Sequence, residues 1–251
     1  MPSEKLTFIN AQGQKLRGVL DMPQGHPKAY ALFAHCFTCS KNFKTSAMLA
    51  QALMEKGFAV LRFDFTGLGE SEGNFADTNF TTNIGDLLAA ADFLRQNYEA
   101  PKLIFGHSFG GAAALAAARH IPEAKALATI NSPFEPAHIM HMFCHHLDEI
   151  EANGEAEVQL AGRTFTLQQQ FIHNIRDQNM TDIIGNMGKA LLIFHAPADT
   201  VVDVENARDI YQAAKHPKSY ISLDGADHFL KNPADASFTA NILSQWAARY
   251  I

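Results

Sequence analysis

Apolar residues along this chain fall into short runs, and their spacing changes near residue 30. Before that point LTFINA and KLRGVLDMP alternate apolar and polar positions on either side of Gln12-Gly13. A period of two flanking a glycine turn predicts an antiparallel hairpin. Beyond it, largely apolar runs (YALFAH, AVLRFDF, KLIFGH, ALATIN, KALLIFHA, KSYISLDG) take turns with segments in helical period: KTSAMLAQALMEKG, TTNIGDLLAAADFLRQNY, AAALAAARH, VENARDIYQAAK and ADASFTANILSQWAARY. Strands covered on both faces lose their polar alternation, so this rhythm predicts repeated βαβ units and a mostly parallel, doubly wound α/β sheet.

The rhythm breaks once, at about residues 134–188. That is too long for a simple connection and predicts an inserted substructure. We expect a helix over PAHIMHMFCHHLDEIEANG, a hairpin over EVQLAGRTFTLQ and a second helix over QQFIHNIRDQ, together forming a lid. No repeat, low-complexity tract or linker divides the rest, so the expected organisation is one domain, 1–251, carrying this insertion.

Composition narrows the function classes. A chain of 251 residues, 47% hydrophobic, can bury one large core, and its net charge of −6 offers no basic field for a nucleic-acid backbone. MPSEKLTFINAQGQKL lacks a basic segment followed by an apolar one, and no run approaches the length of a membrane span. These features lead us to expect a soluble cytoplasmic protein with neither nucleic-acid nor membrane partners. Three cysteines, an odd number, make poor material for a disulfide framework and fit a reducing compartment.

Chemistry concentrates at GHSFGG, residues 106–111, between the strand KLIF and the helix AAALAAARH. A serine in G-x-S-x-G at a strand-to-helix turn occupies a sharp elbow that exposes its hydroxyl, which makes Ser108 the candidate nucleophile. The following helix sets the Phe109 amide where an oxyanion would form. Asp199, in HAPADTVVD, and His228, in LDGADHF, follow the next strands, in the order serine, acid, histidine. From there His228 would take the Ser108 proton and Asp199 would orient the imidazole. Asp203, Asp224 and Asp227 are competing carboxylates.

Taken together, these stretches resemble the α/β-hydrolase superfamily of serine hydrolases over nearly the whole chain. RFDFTGLGESEG is similar to the family's glycine-spaced loop after a buried strand, GHSFGG to its nucleophile elbow, DTVVDVENA to its acid loop and GADHF to its histidine loop. The resemblance also places AHCFTCS at the oxyanion loop, with His35 at the family histidine, Cys36 where a glycine is usual, and Phe37 supplying the second amide donor. It implies an α/β-hydrolase fold, no cofactor, and cleavage of carboxylic esters through an acyl-enzyme. AHCFTCS, FDFTGLGESEG and DTNF further resemble the hydrolase half of bacterial two-part proteins carrying an OsmC-type domain, so an OsmC-type partner, or a homodimer, is a candidate assembly.

The lid's Phe134, Met140, Met142, Phe143 and Phe171 suggest an apolar pocket for short to medium or aromatic acyl groups, with His35 and His107 at its margin. A thioesterase, peptidase or acyltransferase could use the same triad, and a non-catalytic ligand-binding protein could use the same fold. Cys36 and Cys39 form a C-x-x-C, read here as a coincidence of the oxyanion loop; the rival reading is a redox thiol, with Cys39 at a helix N-terminus. His138, His141, Cys144 and His145 have helical spacing but read as the margin of a packed helix, so no metal is expected. GLGESEG carries Glu72 in place of a third fingerprint glycine, and no nucleotide cofactor is supported.

Overall fold

The computed structural model describes residues 3–251. Eight strands form one sheet: β1 (Ser3–Ile9), β2 (Lys15–Asp21), β3 (Ala29–Ala34), β4 (Phe58–Phe63), β5 (Leu103–His107), β6 (Ala126–Ile130), β9 (Ala190–His195) and β10 (Lys218–Ser222). Their order is β1-β2-β4-β3-β5-β6-β9-β10. The predicted hairpin is present, with Ser3 opposite Asp21 and Ile9 opposite Lys15, and β2 joins β4 antiparallel. Every later pairing is parallel, because each of these strands is linked to the next by a crossover over one face of the sheet.

Adjacent residues in these strands feed opposite cores. Leu32, Leu61, Ile104, Leu127 and Ile193 pack on one face, and their neighbours Phe33, Val60, Phe105, Ala128 and Leu192 on the other. The period of two therefore persists although both sides are apolar. Helices α1 (Lys44–Met54) and α8 (Pro233–Ala247) cover the second face, whereas α2 (Phe80–Asn97), α3 (Phe109–Ala118) and α7 (Glu205–Ala213) cover the first. Local sequence sets their starts. Asn79 and Thr82 form a reciprocal capping box on α2, and Asn232 caps α8 ahead of Pro233. All ten residues of α3, FGGAAALAAA, are buried, and their small side chains let this helix lie close to the sheet.

Between β6 and β9 the insertion departs from expectation in its first half. Residues Pro136–His146 form 3-10 helix, interrupted at Phe143 (φ −140°, ψ 27°), and a short α4 (Leu147–Asn153) follows. The expected continuous helix is thus broken in two. Beyond it come the hairpin β7 (Glu155–Leu160) and β8 (Arg163–Gln168), α5 (Gln169–Arg176) and an unforeseen short α6 (Met180–Gly185). Ala156, Val158 and Leu160 turn inward from β7 while their neighbours face solvent. Among the described residues, no helix is long and apolar enough to cross a membrane.

Candidate active site

Ser108 stands between β5 and α3 with φ 55° and ψ −131°, backbone angles that a non-glycine residue adopts only under constraint. The neighbouring glycines permit the elbow. A Cβ on Gly106 would lie 2.3 Å from the Gly110 carbonyl oxygen, and one on Gly110 would lie 2.3 Å and 2.4 Å from the His35 and Ala34 carbonyl oxygens. The start of α3 is therefore pressed against the loop that follows β3.

Two loops at the carboxyl edge of the sheet complete the constellation. His228 Nδ1 lies 2.7 Å from Asp199 Oδ2, and Nε2 lies 3.1 Å from Ser108 Oγ. With Nδ1–H donating to the carboxylate, Nε2 is left to accept the serine proton. Asp199 Oδ1 also accepts from the Val201 and Val202 amides at 2.8 Å and 3.0 Å. Burial alone would raise its pKa, but the bonds from His228, Val202 and Val201 hold the carboxyl below its ordinary value. The competing carboxylates are engaged elsewhere: Asp203 caps the start of α7, Asp224 accepts from the Ser222 hydroxyl, and Asp227 pairs with Lys231 at 3.3 Å.

Behind His228 lies a support that sequence reasoning missed. Asn131, just past β6 and in left-handed backbone (φ 47°), donates from Nδ2 to the His228 carbonyl at 2.9 Å and accepts at Oδ1 from the Ala196 amide at 2.8 Å. One amide thus ties the acid loop to the histidine loop. His107 Nε2 donates to the same His228 carbonyl at 2.7 Å, and burial, with His228 beside it, pushes its pKa down to about 3. A second buried histidine, His195, donates to the Val202 carbonyl at 2.9 Å, and its pKa is also lowered by burial. The signal in the sequence was an asparagine directly after a strand, a residue type that tolerates left-handed backbone.

The loop after β3, expected from the resemblance to serve an oxyanion, has an unexpected construction. Cys36 and Cys39 are joined in a disulfide, and the Cys39 amide donates to the Cys36 carbonyl at 3.1 Å. The expectation of unpaired cysteines is therefore overturned. The odd count concealed a local pair, with Cys144 left as the exposed free thiol. Cys39 also lies five residues ahead of α1, not at its N-terminus. The positive φ of this turn falls on Thr38 (58°), which removes the need for glycine at position 36. Among the described residues the Phe37 amide has no protein acceptor, and the Phe37 and Phe109 rings meet at 5.3 Å. The Phe109 amide opens α3, where helix geometry leaves amides without an intrahelical partner.

Charged groups brace this loop from beneath. Asp64, fully buried, accepts from Lys41 Nζ at 2.5 Å and from the Lys41 amide at 2.7 Å, while Arg62 donates to the Lys41 carbonyl at 2.5 Å. Arg163, at the tip of the inserted hairpin, donates to the Thr38 carbonyl. His35 is buried behind the loop, donating to the Cys36 carbonyl and accepting from the Phe65 amide, with its pKa pushed down by burial to about 4.

A cavity of about 470 Å³ opens above Ser108 and His228, walled by Phe37, Phe43, Ile139, Met142, Val202 and Phe229 and rimmed by Lys44 and Lys231. Of the pocket residues expected from sequence, Met142 lines this cavity, Phe171 is in the core, and the others lie elsewhere. His35 and His107 are buried behind the site, Phe143 is in the core, and Phe134 and Met140 pack partly buried against it. Of the four candidate metal ligands, His138 turns to the Val201 carbonyl at 3.0 Å, His141 bonds the His138 carbonyl, and Cys144 is exposed.

Comparison with known proteins identifies the family. The family model described as serine aminopeptidase, S33, matches residues 25–153. The crystal structure of an esterase domain from a Rhodothermus marinus protein superposes with a TM-score of 0.81 and 46% identity, covering 100% of this chain and 99% of that one. The Rattus norvegicus monoglyceride lipase is 33% identical over 46% of this chain and 38% of its own length. An uncharacterized Salmonella typhi protein, YfhR, is 24% identical over 90% of this chain and 74% of its own. With the eight-stranded sheet, the serine elbow and these likenesses taken together, the chain belongs to the α/β-hydrolase superfamily of serine hydrolases.

Proposed function

We propose that the protein hydrolyses carboxylic esters of short to medium or aromatic acids through an acyl-enzyme on Ser108. The observation that carries this reading is the chain of contacts from Asp199 through His228 to Ser108, at 2.7 Å and 3.1 Å, beneath an apolar cavity. In the reaction His228 Nε2 takes the Ser108 proton as Oγ attacks the ester carbonyl. Asp199 holds the imidazole in its Nδ1–H tautomer and stabilises the imidazolium that forms. The Phe37 and Phe109 amides receive the developing oxyanion, a kind of donor whose loss costs about 3–4 kcal/mol of barrier. His228 then protonates the departing alcohol, and water, deprotonated by the same imidazole, releases the acid. Every step is carried by side chains and amides of this chain.

A peptidase reading draws support from the family description. An aminopeptidase must hold its substrate's ammonium group, yet among the described residues the cavity lining contains no carboxylate and presents Lys44 and Lys231 at its rim. That distribution favours the ester reading. The test is a panel of p-nitrophenyl esters, acyl-CoA thioesters and aminoacyl amides. The ester reading expects the highest kcat/KM on esters, abolished in Ser108→Ala; faster turnover of thioesters or amides would replace it.

A further inference from the structure

We infer that the Cys36–Cys39 disulfide is a thiol-exchange site, open to small thiols through the acyl cavity, that controls the oxyanion hole. The inference rests on the serine-hydrolase reading of Ser108. Three observations place it there. The bridge closes a four-residue turn whose second residue, Phe37, offers the oxyanion amide, so the same covalent ring that joins the sulfurs limits the motion of that donor. The turn carries Thr38, a β-branched residue, at φ 58°, a backbone that such residues leave when free to do so. Both cysteines line the cavity above Ser108, with Cys36 only 4% exposed and Cys39 half-buried, so the cavity gives an entering thiol a route to Cys39 Sγ.

Exchange proceeds in two displacements. A thiolate attacks Cys39 Sγ, the sulfur–sulfur bond breaks, and Cys36 leaves as a thiolate that takes up a proton. A second thiol attacks the mixed disulfide and frees Cys39. One protein disulfide and two small thiols become a protein dithiol and one external disulfide. With the ring open, Thr38 relaxes and the Phe37 amide loses its fixed direction, while Ser108, His228 and Asp199, held by other elements, keep their contacts.

The test uses the Cys144→Ser protein, in which free thiols number zero when oxidised and two when reduced. It is treated with dithiothreitol under native conditions and desalted, its thiols are counted by iodoacetamide mass shift, and its fold is checked by circular dichroism. Turnover of p-nitrophenyl butyrate and the rate of Ser108 labelling by a fluorophosphonate are then compared between the two states. The expected result is a fall of tenfold or more in kcat/KM and in labelling rate on reduction, reversed by oxidised glutathione. Cys36→Ser/Cys39→Ser protein should sit at the reduced level and ignore dithiothreitol. A folded protein with two free thiols and unchanged turnover and labelling would overturn the switch alone, as would failure of any thiol to appear. Absence of labelling in both states would remove the serine-hydrolase reading as well.

Discussion

Removing the Asn131 side chain should loosen the site while leaving the side chains of Asp199, His228 and Ser108 unaltered. Asn131→Ala deletes the acceptor for the Ala196 amide and one of two donors to the His228 carbonyl, the other being His107. A buried amide left unpaired costs about 1–3 kcal/mol. Alanine held in the left-handed backbone of this position adds about 1–2 kcal/mol. The sum, about 2–5 kcal/mol, is a large part of a typical domain's stability. Urea denaturation should show a lower midpoint at unchanged slope. Asn131→Gly separates the two contributions, since it loses the same bonds but accepts the backbone, and should recover about 1 kcal/mol relative to alanine. Because the amide joins the acid loop to the histidine loop, kcat on a p-nitrophenyl ester should fall more than KM rises. A stability loss under 1 kcal/mol in Asn131→Ala, with kcat unchanged, would refute the reasoning.

Three further outcomes are expected. Asp199→Asn should keep the Val201 and Val202 amides satisfied but present an NH₂ to His228 Nδ1, forcing the wrong tautomer and lowering kcat by about 10³–10⁴ with little change in melting temperature; near-normal kcat would contradict that role. His35 and His107, pushed down by burial to about 4 and about 3, bind protons more readily when unfolded, so their contribution is present above pH 6.5 and lost as pH falls below it. Together they should remove about 3 kcal/mol between pH 7.5 and 5.5, read as a falling denaturation midpoint, and a midpoint that held or rose would contradict their buried, neutral state. Gly110→Ala would drive a Cβ into the carbonyls of His35 and Ala34 and should lower stability by about 1–3 kcal/mol or more, whereas an unchanged melting temperature would contradict the close packing of α3 on this loop.

The sheet and the Ser108 elbow were legible because both rest on local rules: fully apolar strands imply crossovers, and glycines flanking a serine imply a tight turn. Asp199 and His228 were legible for a similar reason, since parallel strands deliver their following loops to one edge of the sheet. What the sequence hid depends on backbone detail. Read as α-helix, PAHIMHMFCHH directed Met140 and Phe143 to the pocket. As 3-10 helix it repeats every three residues, which brings the row His138/His141 and, with the expected Met142, Ile139 to the cavity and sends Phe143 into the core. Likewise, C-x-x-C was read as a coincidence of this loop, and only the turn at Thr38, closed by the disulfide, shows how cysteine can stand at the position where the resemblance expects glycine. Asn131 was hidden because its importance lies in two bonds to segments sixty-five and ninety-seven residues away.

The most direct measurement is intact-mass spectrometry after incubation with a fluorophosphonate, with peptide mapping of the modified residue. It reports an activated serine whatever the natural substrate. A single adduct on Ser108, absent in His228→Ala, is the predicted result. A folded protein that takes up no adduct, or takes it on another residue, would contradict the central claim.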